Sequence, residues 1–422
     1  MKGKTLFLIV SDYPFGIGEP FLDSELKYIA GKFNKIYFII TNPDINSKTE
    51  KKYFIPENSE IIILNNTPTL IQKLFIFNCL FSKYLYKELF IIKNKYQIPV
   101  NLHILKVVFY AMIRGNMFLK NLKKILEKLN IDKDNCLFYS YWCNEFAFSL
   151  ARLKQSFPQV KTLTRTHGWD LYFERHSPAY LPFRTYIIKN SDAIFPISEN
   201  GKQYIINKNK HIKFDNVKVS RLGTEEGCLN SLYKKNNVIK ILSISYLVKL
   251  KRINLIIDSL SEIDSFSVEW THIGEGKIFE DLKNYAFKKL SNKTNIKWDF
   301  KGNMTKSNIY KFLTENSFDA FINVSSTEGI PVSMMEAMSF GIPVIGTNVG
   351  GVTEIIENNI NGFLLSPNPS TQEITNTIEK ILLMPDIEYS TMRQNTYNTW
   401  NEKYNAEKNY NKFAEDLILL YK

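Results

Sequence analysis

Short apolar runs separated by loops and by stretches of helical spacing recur along the chain. Residues 6–10 form one such run, followed by the turn Pro14-Phe15-Gly16-Ile17-Gly18-Glu19-Pro20, a helical pattern over 21–32 and a second run over 35–41. Strand, glycine-bearing loop, helix and strand make a βαβ unit, which predicts a parallel sheet. The pattern continues with a strand at 137–141, a helix at 145–155, strands at 162–166 and 192–197 and a helix at 199–206; residues 216–223 close the first lobe. The polar stretch 224–237 is the expected hinge. Strands at 239–244, 267–274, 296–301, 318–324 and 342–346 then predict a second α/β lobe, and residues 400–422 carry apolar positions at helical spacing. Two such lobes gather their ligands at the carboxyl ends of parallel strands, toward a shared cleft.

Composition agrees with two domains. A chain of 422 residues exceeds one compact core, and 44% hydrophobic with 14% aromatic residues is enough to build two. Cys79, Cys136, Cys143 and Cys228 show no CxxC spacing and the five histidines are scattered, so neither a zinc site nor a disulfide framework is implied, and a reducing compartment is expected. Residues 5–10 are too short for a signal peptide and read as a first strand. No run of about 18 uncharged apolar residues predicts a membrane-spanning helix.

The net charge of +12 is unevenly placed. Between residues 70 and 128, eleven Lys or Arg face only Glu88 and Glu127, a net of +9, interleaved with aromatics from Phe75 to Phe118. This predicts either a basic amphipathic surface for an anionic membrane leaflet or solvated helix faces over an aromatic core. No nucleic-acid module is recognisable, so nucleic acid is not an expected partner.

The most specific stretch is Ser325-Ser326-Thr327-Glu328-Gly329-Ile330-Pro331-Val332-Ser333-Met334-Met335-Glu336-Ala337-Met338. It lies between two strand-like runs and reads as a buried strand, a turn and a helix start. Ser326 or Thr327 can cap the turn, Gly329 lets backbone approach a ligand, and Pro331 suits a first helical turn. The helix start favours an anion. Glu328 and Glu336 beside an anion site make sense when the ligand also offers hydroxyls, as a nucleotide-sugar does.

The Glu328-to-Glu336 segment resembles the E-x7-E motif of retaining family-4 glycosyltransferases (glycosyl transferases group 1) with the two-lobed GT-B fold. Gly341-Ile342-Pro343-Val344-Ile345, Gly350-Gly351-Val352-Thr353-Glu354 and Asn361-Gly362-Phe363-Leu364 follow in that family's order and spacing. The resemblance implies an α/β GT-B architecture of two Rossmann-like lobes. The N-terminal acceptor lobe would be 1–223, the hinge 224–237, the C-terminal donor lobe 238–399, and the helix 400–422 would cross back onto the first lobe.

The resemblance also implies roles. Glu328 would hold the transferred sugar and, with His167, serve catalysis; His167-Gly168-Trp169-Asp170 resembles the family's H-G-x-D segment. Gly329, Ile330, Val332 and Glu336 would bind donor, Glu336 through the ribose hydroxyls. Gly16, Gly18, Glu19 and Asp170 would bind acceptor. After the strand at 239–244, Lys251 falls on the family's lysine for the diphosphate. Tyr246 stands where an Arg is usual, and Arg252 where a Gly is usual. Arg252 is then a second candidate for the phosphate. No Asp-x-Asp metal motif lies near a strand end, so the leaving-group charge falls on Lys251 and the amides after Glu328, and no metal and no cofactor beyond the donor is expected. The function implied is transfer of a sugar, with retention, to a hydroxyl of a glycan or lipid-linked oligosaccharide of bacterial surface polysaccharide, at the cytoplasmic face of the plasma membrane. A non-catalytic GT-B scaffold and a nucleotide-sugar epimerase are the alternatives.

Overall fold

The computed structural model describes residues 3–16, 18–42, 53–64, 79–210, 212–229, 233 and 235–421. The chain divides into two compact units, Met1–Arg221 with Tyr410–Lys422 and Leu222–Asn409. Each holds a six-stranded parallel sheet. The first unit contains β1 (Thr5–Val10), β2 (Lys35–Ile40), β3 (Ser59–Ile63), β4 (Cys136–Ser140), β5 (Lys161–Thr166) and β6 (Ala193–Pro196), in the order β3-β2-β1-β4-β5-β6. The second contains β7 (Val238–Ile244), β8 (Ser267–Ile273), β9 (Ile296–Phe300), β10 (Ala320–Asn323), β11 (Val344–Thr347) and β12 (Gly362–Leu365), in the order β12-β11-β10-β7-β8-β9. Counted from its own first strand, each sheet therefore reads 3-2-1-4-5-6. The order reverses between β1 and β4 and between β7 and β10, where loops at the strand ends part and leave a crevice for a ligand.

The central strands are apolar throughout because helices cover both faces of the sheet; every residue of β1 is buried. The edge strand β3 is half-exposed along its length. Residues 216–223, which close the first lobe in the sequence, contribute one bridge, Val217 to Ile194. An ion pair with a tyrosine bonded to it lies inside the first unit. Arg165 and Glu25 sit 3.3 Å apart with no solvent contact, Tyr139 Oη donates to Glu25 Oε1 at 2.9 Å, and Arg165 donates to Ser220 Oγ at 2.7 Å. The Arg165 guanidinium lies 4.3 Å from the Phe413 ring centroid.

The C-terminal stretch differs from the single helix expected over 400–422. It comprises Asp386–Lys403 and Ala406–Leu419, broken at Tyr404 and Asn405. Thr224 causes the break to be useful: its backbone bridges Asn405, and its Oγ1 accepts from Trp400 Nε1 at 2.7 Å. Residues from Tyr410 onward belong to the first unit, where Phe413, Ala414 and Leu417 enter the core. Of the stretch 224–237, expected as a hinge, the described residues belong to the second unit. Tyr310 Oη donates to the Glu225 carbonyl at 3.0 Å, and Lys235 Nζ donates to the carbonyls of Ile381, Leu382 and Met384.

The basic segment builds two helices of the first unit, while Lys73, Phe75 and Phe77 lie outside the described residues. Helix Lys83–Asn94 is capped by Ser82 Oγ, which accepts from the Tyr84 N–H, and turns Leu85, Glu88 and Ile92 inward. Its outer face carries Lys83, Tyr86, Lys87, Phe90 and Lys93. Glu88 accepts from Tyr180 Oη and the Phe183 N–H, and burial pushes its carboxyl up to about 7. The outer face is thus more basic than the charge count alone implies. Helix Leu102–Leu129 is long and apolar enough to cross a membrane, but Ile104, Val108, Met112, Phe118 and Leu122 pack into the first unit. That burial makes it a core helix.

Candidate functional site

In the second unit, the chain leaves β10 at Asn323 and turns into helix Val332–Ser339. Pro331 is the N-cap residue and not the first helical residue, and no side chain caps the helix. Ser326, expected as a cap, is turned elsewhere: its N–H donates to the Leu250 carbonyl at 2.8 Å. Met334 N–H donates to the Pro331 carbonyl at 3.2 Å, and the positive end of the dipole ahead of it favours an anion. The loop after β11 closes over this turn. Gly351 N–H donates to the Gly329 carbonyl at 2.8 Å. A Cβ on Gly350, whose φ is +51°, would fall 1.9 Å from the Glu328 carbonyl oxygen, so this position requires glycine.

Glu328 is 8% exposed. Its Oε1 accepts from Lys251 Nζ at 2.5 Å, Ser325 Oγ at 2.7 Å and Asn323 Nδ2 at 3.1 Å. Burial opposes ionisation, but the Lys251 charge and the Ser325 and Asn323 donors outweigh it and hold the carboxyl below its ordinary range. Because these three bonds converge on one oxygen, Oε2 can accept hydroxyls of a ligand. Glu336 lies about one turn into the helix and is partly exposed. Its surroundings include the Lys306 and Glu225 charges, and burial pushes it up to about 7. Ile330 is buried and Val332 half-buried beside the turn.

Arg252 does not match its expected role as a phosphate ligand. Its Nε donates to the Val324 carbonyl at 2.5 Å, one terminal nitrogen to Asn368 Oδ1 at 3.1 Å, and the other to the carbonyls of Ser325 and Pro367 at 2.9 and 3.0 Å. The guanidinium ties two loops together through four of its five N–H groups. Its φ of +50° is a left-handed conformation that glycine would adopt without strain. Tyr246, where an Arg was expected, is 56% exposed after β7. His272 is a packed core residue: its Nδ1 lies 2.8 Å from Ser243 Oγ, and burial lowers it to about 4.

In the first unit, the residues expected to bind acceptor serve the protein itself. Glu19 is 1% exposed and accepts from the N–H groups of Ser11, Asp12 and Tyr13 at 2.7, 3.1 and 3.0 Å and from Trp142 Nε1 at 2.7 Å. The carboxylate fills the place where the loop after β1 would otherwise greet an anion. Gly16 donates to the Asp12 carbonyl at 2.9 Å, and a Cβ on it would fall 1.7 Å from the Asp12 carboxylate. Gly18 also faces that carboxylate, while Ile17 between them lies outside the described residues. Asp170 accepts from the His167 N–H at 2.5 Å and the Cys143 N–H at 2.7 Å. Burial disfavours its charge, but His167, Arg184 and the Cys143 amide outweigh that and keep the carboxyl low. These bonds make Glu19 and Asp170 positioning residues.

His167 is held between rings, with the centroids of Tyr141 and Trp142 each 4.7 Å away. Its Nδ1 is 3.8 Å from Asp170 Oδ2, too long for a hydrogen bond, and neither ring nitrogen has a hydrogen-bond partner. A buried imidazole with two unmet nitrogens is suited to a ligand hydroxyl. Sequence reasoning missed Asn323, Ser325, Asp12 and Trp142. Their positions at or just after strand ends were the available signal.

Residues 230–399 match the family model for glycosyl transferases group 1. An uncharacterised glycosyltransferase of Methanocaldococcus jannaschii, MJ1178, is 27% identical over 65% of this chain and 73% of its own length. The O-antigen biosynthesis glycosyltransferase WbnH of Escherichia coli is 27% identical over 50% of this chain and 58% of its own. The structure of Anabaena Alr3699/HepE in complex with UDP superposes with a TM-score of 0.66 at 17% identity, over 99% of this chain and 100% of that one. With the two parallel sheets, this likeness shows the fold: a two-lobed α/β GT-B fold.

Proposed function

We propose that this chain, whose residues 230–399 resemble glycosyl transferases group 1, moves a sugar from a nucleoside-diphosphate sugar to an acceptor hydroxyl with retention at the anomeric carbon. The observation that carries this reading is the Lys251–Glu328 pair set before an uncapped helix N-terminus. The helix start and Lys251 receive the diphosphate, Glu328 Oε2 a hydroxyl of the transferred sugar, and Glu336 the ribose hydroxyls. Gly329, Ile330 and Val332 form the backbone wall against the donor. The anomeric C–O bond to phosphate breaks as the bond to the acceptor oxygen forms on the same face. The acceptor proton passes to the departing phosphate oxygen. His167 holds a hydroxyl through its unmet ring nitrogens. The donor is the one small molecule this scheme needs. Among the described residues, no cluster of three His, Cys, Asp or Glu is arranged to hold a metal.

The acceptor proposed is a lipid-linked oligosaccharide of surface polysaccharide, in keeping with the name of WbnH, worked on at the cytoplasmic face of a membrane. The Lys83, Tyr86, Lys87, Phe90 and Lys93 face supports docking on an anionic leaflet. Replacing Lys83, Lys87 and Lys93 by Gln is expected to weaken co-sedimentation with anionic vesicles about a hundredfold, at ~1 kcal/mol per lysine. Unchanged co-sedimentation would return that face to plain solvation.

A thermal-shift panel with UDP, GDP, ADP and CMP tests the donor site. A ligand at about 100 times its dissociation constant adds roughly 2.7 kcal/mol. A shift with one diphosphate, followed by an NMR assignment of the product anomer, is the expected result. An inverted anomer would rule out retention. A second reading, a scaffold without turnover, draws on Tyr246 and on the loop-bound Arg252, which leave Lys251 as the cation beside Glu328. No nucleotide shift at all would favour it.

A further inference from the structure

The crevice between β1 and β4 in the first unit opens into a cavity of about 480 Å³. Its walls include Tyr110 and Arg114 from helix Leu102–Leu129, Trp142 after β4, Glu145 at the start of helix Glu145–Leu153, Trp169 after β5, and Asn42 after β2. We propose that this cavity is the subsite for a neutral pyranose, the end unit of the acceptor glycan. Naming it an acceptor rests on the transferase reading above; the choice of a neutral sugar rests on the cavity alone.

Shape and charge carry the choice. Four aromatic residues, Tyr110, Trp142, Phe146 and Trp169, line the cavity. A pyranose offers a flat face of C–H groups to such rings and a rim of hydroxyls to polar groups around them. Trp142 is fixed in orientation, since its Nε1 donates to Glu19 at 2.7 Å and its ring packs on His167 at 4.7 Å. Trp169 rests on His176, with ring centroids 4.4 Å apart, and is otherwise exposed. Among the described residues, the cavity's one guanidinium and one carboxylate are paired, with Arg114 Nε 3.2 Å from Glu145 Oε1. The lining therefore sums to zero charge. The helix that begins at Glu145 would draw an anion, but that carboxylate lies in its first turn and Asn144 Oδ1 already accepts from the Phe146 N–H at 2.9 Å. A phosphate or uronate would meet Glu145; a hydroxylated neutral ring can donate to it and accept from Arg114.

The test is saturation-transfer NMR on the full chain with the methyl glycosides of glucose, galactose and N-acetylglucosamine, beside glucuronate, glucose 6-phosphate and uridine. At least one neutral glycoside is expected to bind, and Trp169→Ala to weaken it about tenfold. Glu145→Gln leaves Arg114 unpaired and is expected to raise glucose 6-phosphate binding about tenfold over wild type. Absence of every neutral glycoside signal, wild-type preference for the anions or for uridine, or indifference to Trp169→Ala overturns the proposal. The UDP and GDP thermal shift, read on the same samples, reports on folding and on the donor site separately. A nucleotide shift without glycoside binding sinks only the cavity assignment. Glycoside binding without a nucleotide shift sinks only the donor reading.

Discussion

The two units share a strand order and treat their crevices in opposite ways. In the first, a carboxylate of the protein sits among the loop amides: Glu19 takes three backbone N–H groups and an indole N–H. In the second, the carboxylate is drawn aside by a lysine, and helix Val332–Ser339 has no side-chain cap. One crevice carries its own anion, and the other is prepared for one brought by a ligand. Topology places a crevice; the side chain that reaches the amides first decides what it can bind.

The largest expected effects break the second crevice. Glu328→Ala should lower transfer about a thousandfold and leave the nucleotide shift, while Lys251→Ala should abolish that shift. Activity of Glu328→Ala within tenfold of wild type would remove the residue from the mechanism. Arg252→Gly sharpens the point. It should keep the nucleotide shift, since the guanidinium binds loop carbonyls and its left-handed φ suits glycine, while losing some thermal stability. Loss of the shift in this variant would restore Arg252 as a phosphate ligand.

Next in size is a stability contrast. Glu19→Ala strips four donors of their buried acceptor and should cost about 3 kcal/mol in chemical denaturation. Glu328→Ala should cost less, because Lys251 can turn to solvent. Equal costs would erase the distinction between a structural and a ligand-directed carboxylate.

The smallest effect is a pH dependence. Burial raises Glu336 from 4.5 to about 7, so between those values the folded state binds more proton than the unfolded. Its contribution to stability therefore falls as pH rises through that window. Glu336→Gln removes the charge and should melt above wild type at about pH 8, with the gap closing near pH 5. Glu88 titrates with the same sign in both proteins and cancels. A gap independent of pH would mean that Glu336 is solvated.

Much of the fold was legible because buried parallel strands are continuous apolar runs. β1, β2, β4 and β7 came within one residue of their observed bounds. β3 was missed because an edge strand needs no such run. In the site, the Glu328 turn was legible from its glycines and proline. The roles of Glu19, Asp170 and Arg252 were not, since a charged residue at a strand end looks the same whether it faces a ligand or its own loop amides. Which it faces depends on bonds to residues as distant as Trp142 and Pro367.

The return of the chain to the first unit at Tyr410 orders its birth on the ribosome. Leu222–Asn409 emerges as a continuous stretch and can fold as soon as it is clear of the exit tunnel. The first unit, though begun earlier, waits with a gap in its core until Phe413, Ala414 and Leu417 arrive. Through that interval the Arg165–Glu25 pair lacks the Phe413 ring that covers it. The half made first is thus the half finished last, and a stalled or clipped chain should betray itself there.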